Sequence, residues 1–116
     1  IKHDLKNILQ ADIEVHLFFL ESFEHKKIFN PKGHNIDHYD FDTNIYQPQP
    51  QFLTIENKQK VEESLFSNLF KSNCPVTGQP DWATIQIHYY GNKINQENLL
   101  KYLISYRNHQ AFHEQC

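Results

Sequence analysis

The stretch Leu69-Phe70-Lys71-Ser72-Asn73-Cys74-Pro75-Val76-Thr77-Gly78-Gln79-Pro80-Asp81-Trp82, followed by Ala83 to Tyr90, decides the fold. Pro75, Gly78 and Pro80 punctuate a turn, because two prolines preset φ and a glycine tolerates the backbone that a reversal needs. Fully extended, the residues from Cys74 to Asp81 would separate thiol and carboxylate by roughly 25 Å. The turn favours a chain that doubles back, so the two groups can meet. After it, Ile85, Ile87 and Tyr89 alternate with Thr84, Gln86 and His88, the period-2 pattern of a strand with one covered face. Gly91-Asn92 is expected to end that strand. From Asn95, a good N-cap, Leu99, Leu100, Leu103, Ile104, Tyr106 and Arg107 form the stripe of an amphipathic helix expected to run toward His109.

Upstream, Lys60 to Phe70 is ambiguous, since Val61, Leu65 and Leu69 suit a helix while the run into Ser72-Asn73 suits an extended chain. Tyr46-Gln47-Pro48-Gln49-Pro50-Gln51 fits neither a helix nor a central strand and reads as a linker, placed at 47–60. Ile36 to Tyr46 alternates loosely, as an extended segment after the turn signal Asn30-Pro31-Lys32-Gly33. Val15 to Phe23 reads as a strand apolar on nearly both faces. Ile1, Leu5, Ile8 and Leu9 fall at helical spacing over residues 1 to about 11.

The 116 residues, 39% hydrophobic and 14% aromatic, have material for one modest core. No apolar run approaches the ~20 residues of a membrane span. Cys74 and Cys116 do not make a disulfide framework and are read as free thiols, which suits a reducing cytoplasm. A net charge of -3 with eight neutral histidines offers no basic face for nucleic acid. The absence of Met and the start at Ile1 within a helical pattern suggest a piece of a longer chain.

A lone cysteine is ordinarily an inert core residue. The turn alone does not overturn that reading for Cys74, although a thiolate is the strongest side-chain nucleophile and the nearby Asp81 carboxyl could move the proton an addition needs. His109 and His113 are four apart, but the pattern His109-Gln110-Ala111-Phe112-His113-Glu114 is neither H-E-x-x-H nor H-x-x-E-H, so no metal site is expected there. His34 and His38, with no third ligand, are read as surface residues. Phe18, Phe19, Phe66 and Phe70 are read as core, and Trp82 as packing over the turn.

Together with Leu99 to His109 and Phe112-His113-Glu114-Gln115-Cys116, the stretches quoted above resemble the NADPH-dependent 7-cyano-7-deazaguanine reductases, the nitrile reductases of queuosine biosynthesis. The match is to their long, two-module form, closely over 61–116 and more loosely over the first half. The resemblance implies an α+β tunnelling fold of ββααββ modules, favours a strand over Lys60 to Phe70, and places 1–46 at the end of an upstream module. On that reading 61–116 is the first half of the catalytic module. It implies Cys74 as the nucleophile adding to the nitrile carbon to form a thioimidate, and Asp81 as the proton-exchanging carboxyl. His113 would sit near the cyano group, and Glu114 would accept two hydrogen bonds from the base. NADPH is the implied cofactor, and a homodimer or larger homo-oligomer the implied assembly.

There is one departure. Single-module members open the helix corresponding to 95–106 with a Glu-Ser-Lys motif that serves NADPH and the base, where this chain has Gln96-Glu97-Asn98-Leu99-Leu100-Lys101. Two-module members carry that motif in the upstream module, so its absence here is expected; the cofactor-binding residues are unassigned within these 116 positions, Glu97 is a weak candidate, and this piece alone is expected not to reduce a nitrile. Two further readings stay open. One is a cysteine amidohydrolase or acyltransferase using Cys74 with His113. The other is a silent tunnelling-fold module binding a purine or pterin through Glu114.

Overall fold

The computed structural model describes residues 2–12, 14–16 and 31–116. The strand expected over Val15 to Phe23, and the Phe18-Phe19 pair within it, lie almost wholly outside the described residues. The chain divides into two compact units, 1–30 and 31–116. In the first, helix α1 (Lys2–Leu9) falls where the helical spacing places it, and Gln10 follows with a positive φ of 49°. Lys6 Nζ pairs with Asp12 Oδ1 at 2.6 Å, an exposed contact of small energetic weight.

The second unit is built on a long hairpin of β2 (Ile55–Asn73) and β3 (Pro80–Ile94). A two-residue strand, β1 (His34–Asn35), lies parallel to β2, giving a mixed three-stranded sheet of order β1-β2-β3. Helix α2 (Gln96–Ser105) packs on one face of it. The class is α+β. The core joins Leu65 and Phe70 of β2 to Leu99, Leu100, Leu103 and Ile104 of α2, with Ile36 and Tyr106. Leu100 and Ile36 are fully buried, and burying each such side chain contributes roughly 1.5–3 kcal/mol.

β3 alternates as its sequence dictates, with Ala83, Ile85, Ile87 and Tyr89 turned inward and Trp82, Thr84, Gln86 and His88 outward. It does not stop at Gly91-Asn92. Gly91 pairs with Val61 and Asn92 with Lys60, because β2 offers ladder partners that far back.

β2 resolves the ambiguity of Lys60 to Phe70 in favour of a strand. Its pairing steps from Ser67↔Ile85 to Phe70↔Ala83, so Asn68 and Leu69 of β2 lie opposite the single Thr84 of β3, a one-residue bulge. Before it the odd positions Leu65 and Ser67 face α2, and after it the even positions Phe70 and Ser72 do. The period-2 signal is broken there, which is why the sequence reads as partly helical. The bulge is held by Asp37 Oδ2, which accepts from Asn68 N at 3.0 Å, and by Ser67 Oγ, which accepts from Leu69 N at 3.1 Å.

Two further expectations shift. β2 begins at Ile55, inside the segment 47–60 read as a linker, since Ile55 pairs with Ile94. The stretch before it is tied to α2: Gln49 N donates to Ser105 Oγ and Asn95 N to Thr54 O. Ile36, within the 1–46 segment assigned upstream, lies in the core of the 31–116 unit. Gly33 makes this approach possible, since its φ is +138° and a Cβ there would sit 2.5 Å from the Ser64 carbonyl oxygen. His34 and His38 are exposed, with rings in edge contact.

Asn95 caps α2 as expected, its side chain accepting from Asn98 N at 2.9 Å. The α-helix ends at Ser105, however, and a 3₁₀ turn follows at Tyr106–Asn108. His109 is already extended (φ -73°, ψ 131°), so His109 and His113 do not share a helix face. The reason is tertiary: His109 O accepts from Asn73 N at 2.8 Å and Ala111 N donates to Asn73 O at 3.2 Å, trading helical bonds for bonds to β2.

Candidate active site

Cys74 sits where β2 ends and the hairpin loop begins. Asn73 pairs with Pro80 and Ser72 with Asp81, so the thiol lies two residues beyond the partner of the carboxylate. The loop closes on Cys74 itself, whose N–H donates to Gln79 O and whose carbonyl accepts from Gly78 N, both at 2.8 Å. Gly78 has a φ of +71°, the left-handed conformation a side chain would resist. Thr77 Oγ1 accepts from Gln79 N at 3.3 Å.

This loop lowers the Cys74 pKa below that of a free thiol. The Thr77 hydroxyl is the main cause, followed by the backbone N–H groups of Thr77 and Val76, which favour the charged sulfur. Partial burial and the Asp81 charge work the other way, and the donors win. The Asp81 charge is the smallest of these contributions. Thr77 was not singled out from sequence. The legible signal was a hydroxyl three residues after a cysteine in a tight turn, where side chains return to nearby backbone.

The role of Thr77 has a direct check. Alkylation of Cys74 by iodoacetamide in a Cys116→Ser background should reach half its plateau at a pH below the ordinary thiol value, because only the thiolate reacts. Thr77→Val should move that midpoint up. An unmoved midpoint would remove Thr77 from the account.

The segment after α2 is stitched to the same end of β2. Lys71 Nζ donates to Arg107 O at 2.7 Å, Asn73 Nδ2 to the same oxygen at 3.2 Å, and the buried Ser72 hydroxyl to Ala111 O at 3.2 Å. These bonds deliver His113–Gln115, a 3₁₀ turn, to the hairpin tip. His113 Nε2 lies 3.2 Å from the Asp81 carbonyl oxygen, which only accepts, so the proton of the neutral ring is on Nε2 and Nδ1 is left free. The ring also meets Phe70 edge-on at 5.6 Å.

Cys74, Asp81 and His113 are thus brought together, and Glu114 stands exposed on the same short turn. Glu97 lies instead in the first turn of α2, paired with Lys101. Trp82 does not pack over the turn. As the residue after Asp81 it emerges on the opposite sheet face and is 58% exposed.

An apolar groove of about 280 Å³ runs from His113 along the inner face of the sheet, lined among others by Phe70, Ile85, Tyr102, Tyr106 and Cys116. Burial, and then the Tyr102 hydroxyl 2.7 Å away, pushes Tyr106 up to about 12, so it stays a neutral donor. Both cysteines are free thiols, Cys74 half-buried and Cys116 exposed. Among the described residues no helix is long and apolar enough to cross a membrane.

The chain is 48% identical over 117 aligned residues to the NADPH-dependent 7-cyano-7-deazaguanine reductase of Paraburkholderia phytofirmans, an alignment covering all of this chain and 43% of that relative. The enzymes of the same name from Ralstonia nicotianae and Burkholderia orbicola are 49% and 44% identical, again over the whole of this chain, and it covers 42% and 43% of them. The chain spans less than half the length of these curated relatives. Residues 80–116 match the family model for QueF-like protein, so the resemblance carried by the Cys74–Trp82 and Phe112–Cys116 motifs extends along the whole chain to the NADPH-dependent 7-cyano-7-deazaguanine reductases.

Proposed function

We propose that this chain is the part of an NADPH-dependent nitrile reductase that holds the substrate nitrile, and that it serves conversion of 7-cyano-7-deazaguanine to its aminomethyl product in queuosine biosynthesis. One observation carries the reading: Cys74 stands at a hairpin tip, two residues beyond the ladder partner of Asp81, where the Thr77 hydroxyl and the Thr77 and Val76 N–H groups lower its pKa and the Asp81 charge opposes its ionisation. A nitrile demands that arrangement, because it is a poor electrophile unless its nitrogen gains a proton as sulfur attacks.

In the proposed step the Cys74 sulfur bonds to the nitrile carbon and one C–N π bond opens. The proton released by the Cys74 thiol passes by way of the Asp81 carboxylate to the nitrogen, leaving a neutral thioimidate and the carboxylate. His113, donating to the Asp81 carbonyl, keeps Nδ1 free to accept or relay a proton at that nitrogen. Glu114 faces the ring N–H and exocyclic amine of the base with two acceptor oxygens. NADPH supplies the hydrides, two equivalents for nitrile to amine. The Glu-Ser-Lys motif is missing from α2 and Glu97 is engaged with Lys101. Cations without acidic partners lie elsewhere, at Lys71 and Arg107.

The tunnelling fold, the placement of 61–116 in a catalytic module following an upstream one, a homo-oligomeric assembly and a cytoplasmic location belong to the same proposal. β3 supports assembly: it pairs only with β2 among the described residues, leaving a long free edge that another strand can extend.

Intact mass of the protein mixed with 7-cyano-7-deazaguanine tests the reading. An adduct retaining every substrate atom is expected. Its absence, or a hydrolysed acyl adduct in its place, would exclude a reductase. Recognition has its own check. Glu114→Gln turns one acceptor into a donor facing an N–H, a loss on the order of 2–4 kcal/mol, or roughly 30- to 1,000-fold in affinity. Calorimetry in a Cys74→Ala background should show this loss for the base and a much smaller one for its des-amino analogue.

A further inference from the structure

On the outer face of the hairpin a pocket of about 350 Å³ is lined by Tyr46, Lys71, Trp82, Arg107 and Asn108. Its volume falls within the ~300–1,000 Å³ typical of small-molecule sites. Arg107 is the chain's single arginine. Its Nε is buried without a hydrogen-bond partner, and among the described residues its guanidinium has no carboxylate. A buried donor left unpaired is costly, and native proteins rarely leave one unless a ligand or another group completes it.

The backbone around this guanidinium is fixed, since Arg107 O accepts from both Lys71 and Asn73. Lys71 keeps two further N–H donors. No acidic side chain lines the pocket, and the exposed Trp82 indole forms part of its wall. Two cations without an anion, beside a flat aromatic face, suit a phosphate carried on a planar ring. The proposed addition step uses none of these groups.

Lys71 and Trp82 face each other across the hairpin one step before the Ser72–Asp81 pair. Cys74 is three residues further on, roughly 10 Å along the strand. A phosphorylated nucleotide seated here therefore lies beside the tip that holds the nucleophile, on the opposite sheet face from Asp81.

We infer that this pocket binds the phosphate-bearing adenosine part of NADPH, with Arg107 and Lys71 on a phosphate and Trp82 against the adenine ring. The inference rests on the proposed nitrile reductase activity. It answers what the missing Glu-Ser-Lys motif leaves open: which residues of this chain touch the cofactor.

The test is calorimetry on the intact protein with NADPH, adenosine 2′,5′-bisphosphate and inorganic phosphate, alongside the mass of the nitrile adduct, which needs no reductant. Arg107→Ala should raise the dissociation constants for NADPH and the bisphosphate about 10- to 100-fold, and lower their salt dependence. Arg107→Lys should restore part of the loss. The Cys74 adduct should form as in wild type. Trp82→Ala, at an exposed position that tolerates truncation, should weaken the bisphosphate but not inorganic phosphate, and serves if Arg107→Ala does not fold. Unchanged NADPH and bisphosphate affinity in a folded variant would overturn the pocket assignment while the adduct stands. An equal loss for all ligands together with loss of the adduct would mark Arg107 as structural and overturn it too. Failure of wild type to form the adduct would instead strike the nitrile reading.

Discussion

Cys74→Ala is expected to abolish the covalent adduct with 7-cyano-7-deazaguanine completely while leaving non-covalent binding of the base measurable. On the proposed reading the thiol makes the bond, whereas Glu114, on the separate His113–Gln115 turn, recognises the ring. The substitution should also be structurally mild. Cys74 is half-buried and lies outside the core cluster, and the loop is closed by its backbone bonds to Gln79 and Gly78, which alanine keeps. Intact mass reads the first outcome and calorimetry the second. Adduct persisting in Cys74→Ala would move the nucleophile elsewhere, with Cys116 the next thiol to test. Loss of all binding would mean that the cysteine shapes the site rather than reacts in it.

Asp81→Asn should act in opposite directions on two electrophiles. The Asp81 carboxylate opposes ionisation of Cys74, so removing its charge lowers the thiol pKa further. The sign follows directly: a lower folded-state pKa gives more thiolate at any pH below the old midpoint. Iodoacetamide, which needs no proton, should then react faster over that range. The nitrile needs its nitrogen protonated as sulfur attacks, and asparagine has no acid to offer. Adduct formation should therefore fall by about 10²–10⁴-fold, the ordinary contribution of general acid catalysis. No simple unfolding or misplacement of Cys74 gives faster alkylation with slower adduct formation. If both rates fall together, Asp81 is a structural turn residue. If neither moves, the two side chains do not interact.

Much of the fold was legible because local chemistry and tertiary structure agree. The Pro75, Gly78 and Pro80 turn, the alternation of Ala83 to Tyr90, and the Asn95 cap before the Leu99, Leu100, Leu103 and Ile104 stripe are each local devices that the sheet and helix reuse unchanged. One reading stayed open and another failed where a local signal met a longer-range partner. The β2 bulge shifts the phase of the strand by one residue, so Val61, Leu65 and Leu69 mimic a helical period that the ladder with β3 overrides. The helix expected to reach His109 stops at Ser105 because Asn73 captures the backbone of His109 and Ala111.

The site divides in the same way. By itself the sequence determined the turn that carries Cys74 and Asp81 at its two ends, since its closure depends on the residues between them. It also placed His113 and Glu114 next to one another. Only the tertiary structure decided that His113 reaches Asp81, through bonds from Lys71, Ser72 and Asn73 to a segment more than thirty residues away. It alone determined that Thr77 shifts the thiol, because a hydroxyl lowers a pKa only when the loop aims it at sulfur. Likewise Trp82 turned outward, and the unpaired Arg107 came to share its pocket. Contacts across the sheet edge depend on register, and register is set by a bulge and a core that no single stretch of sequence contains.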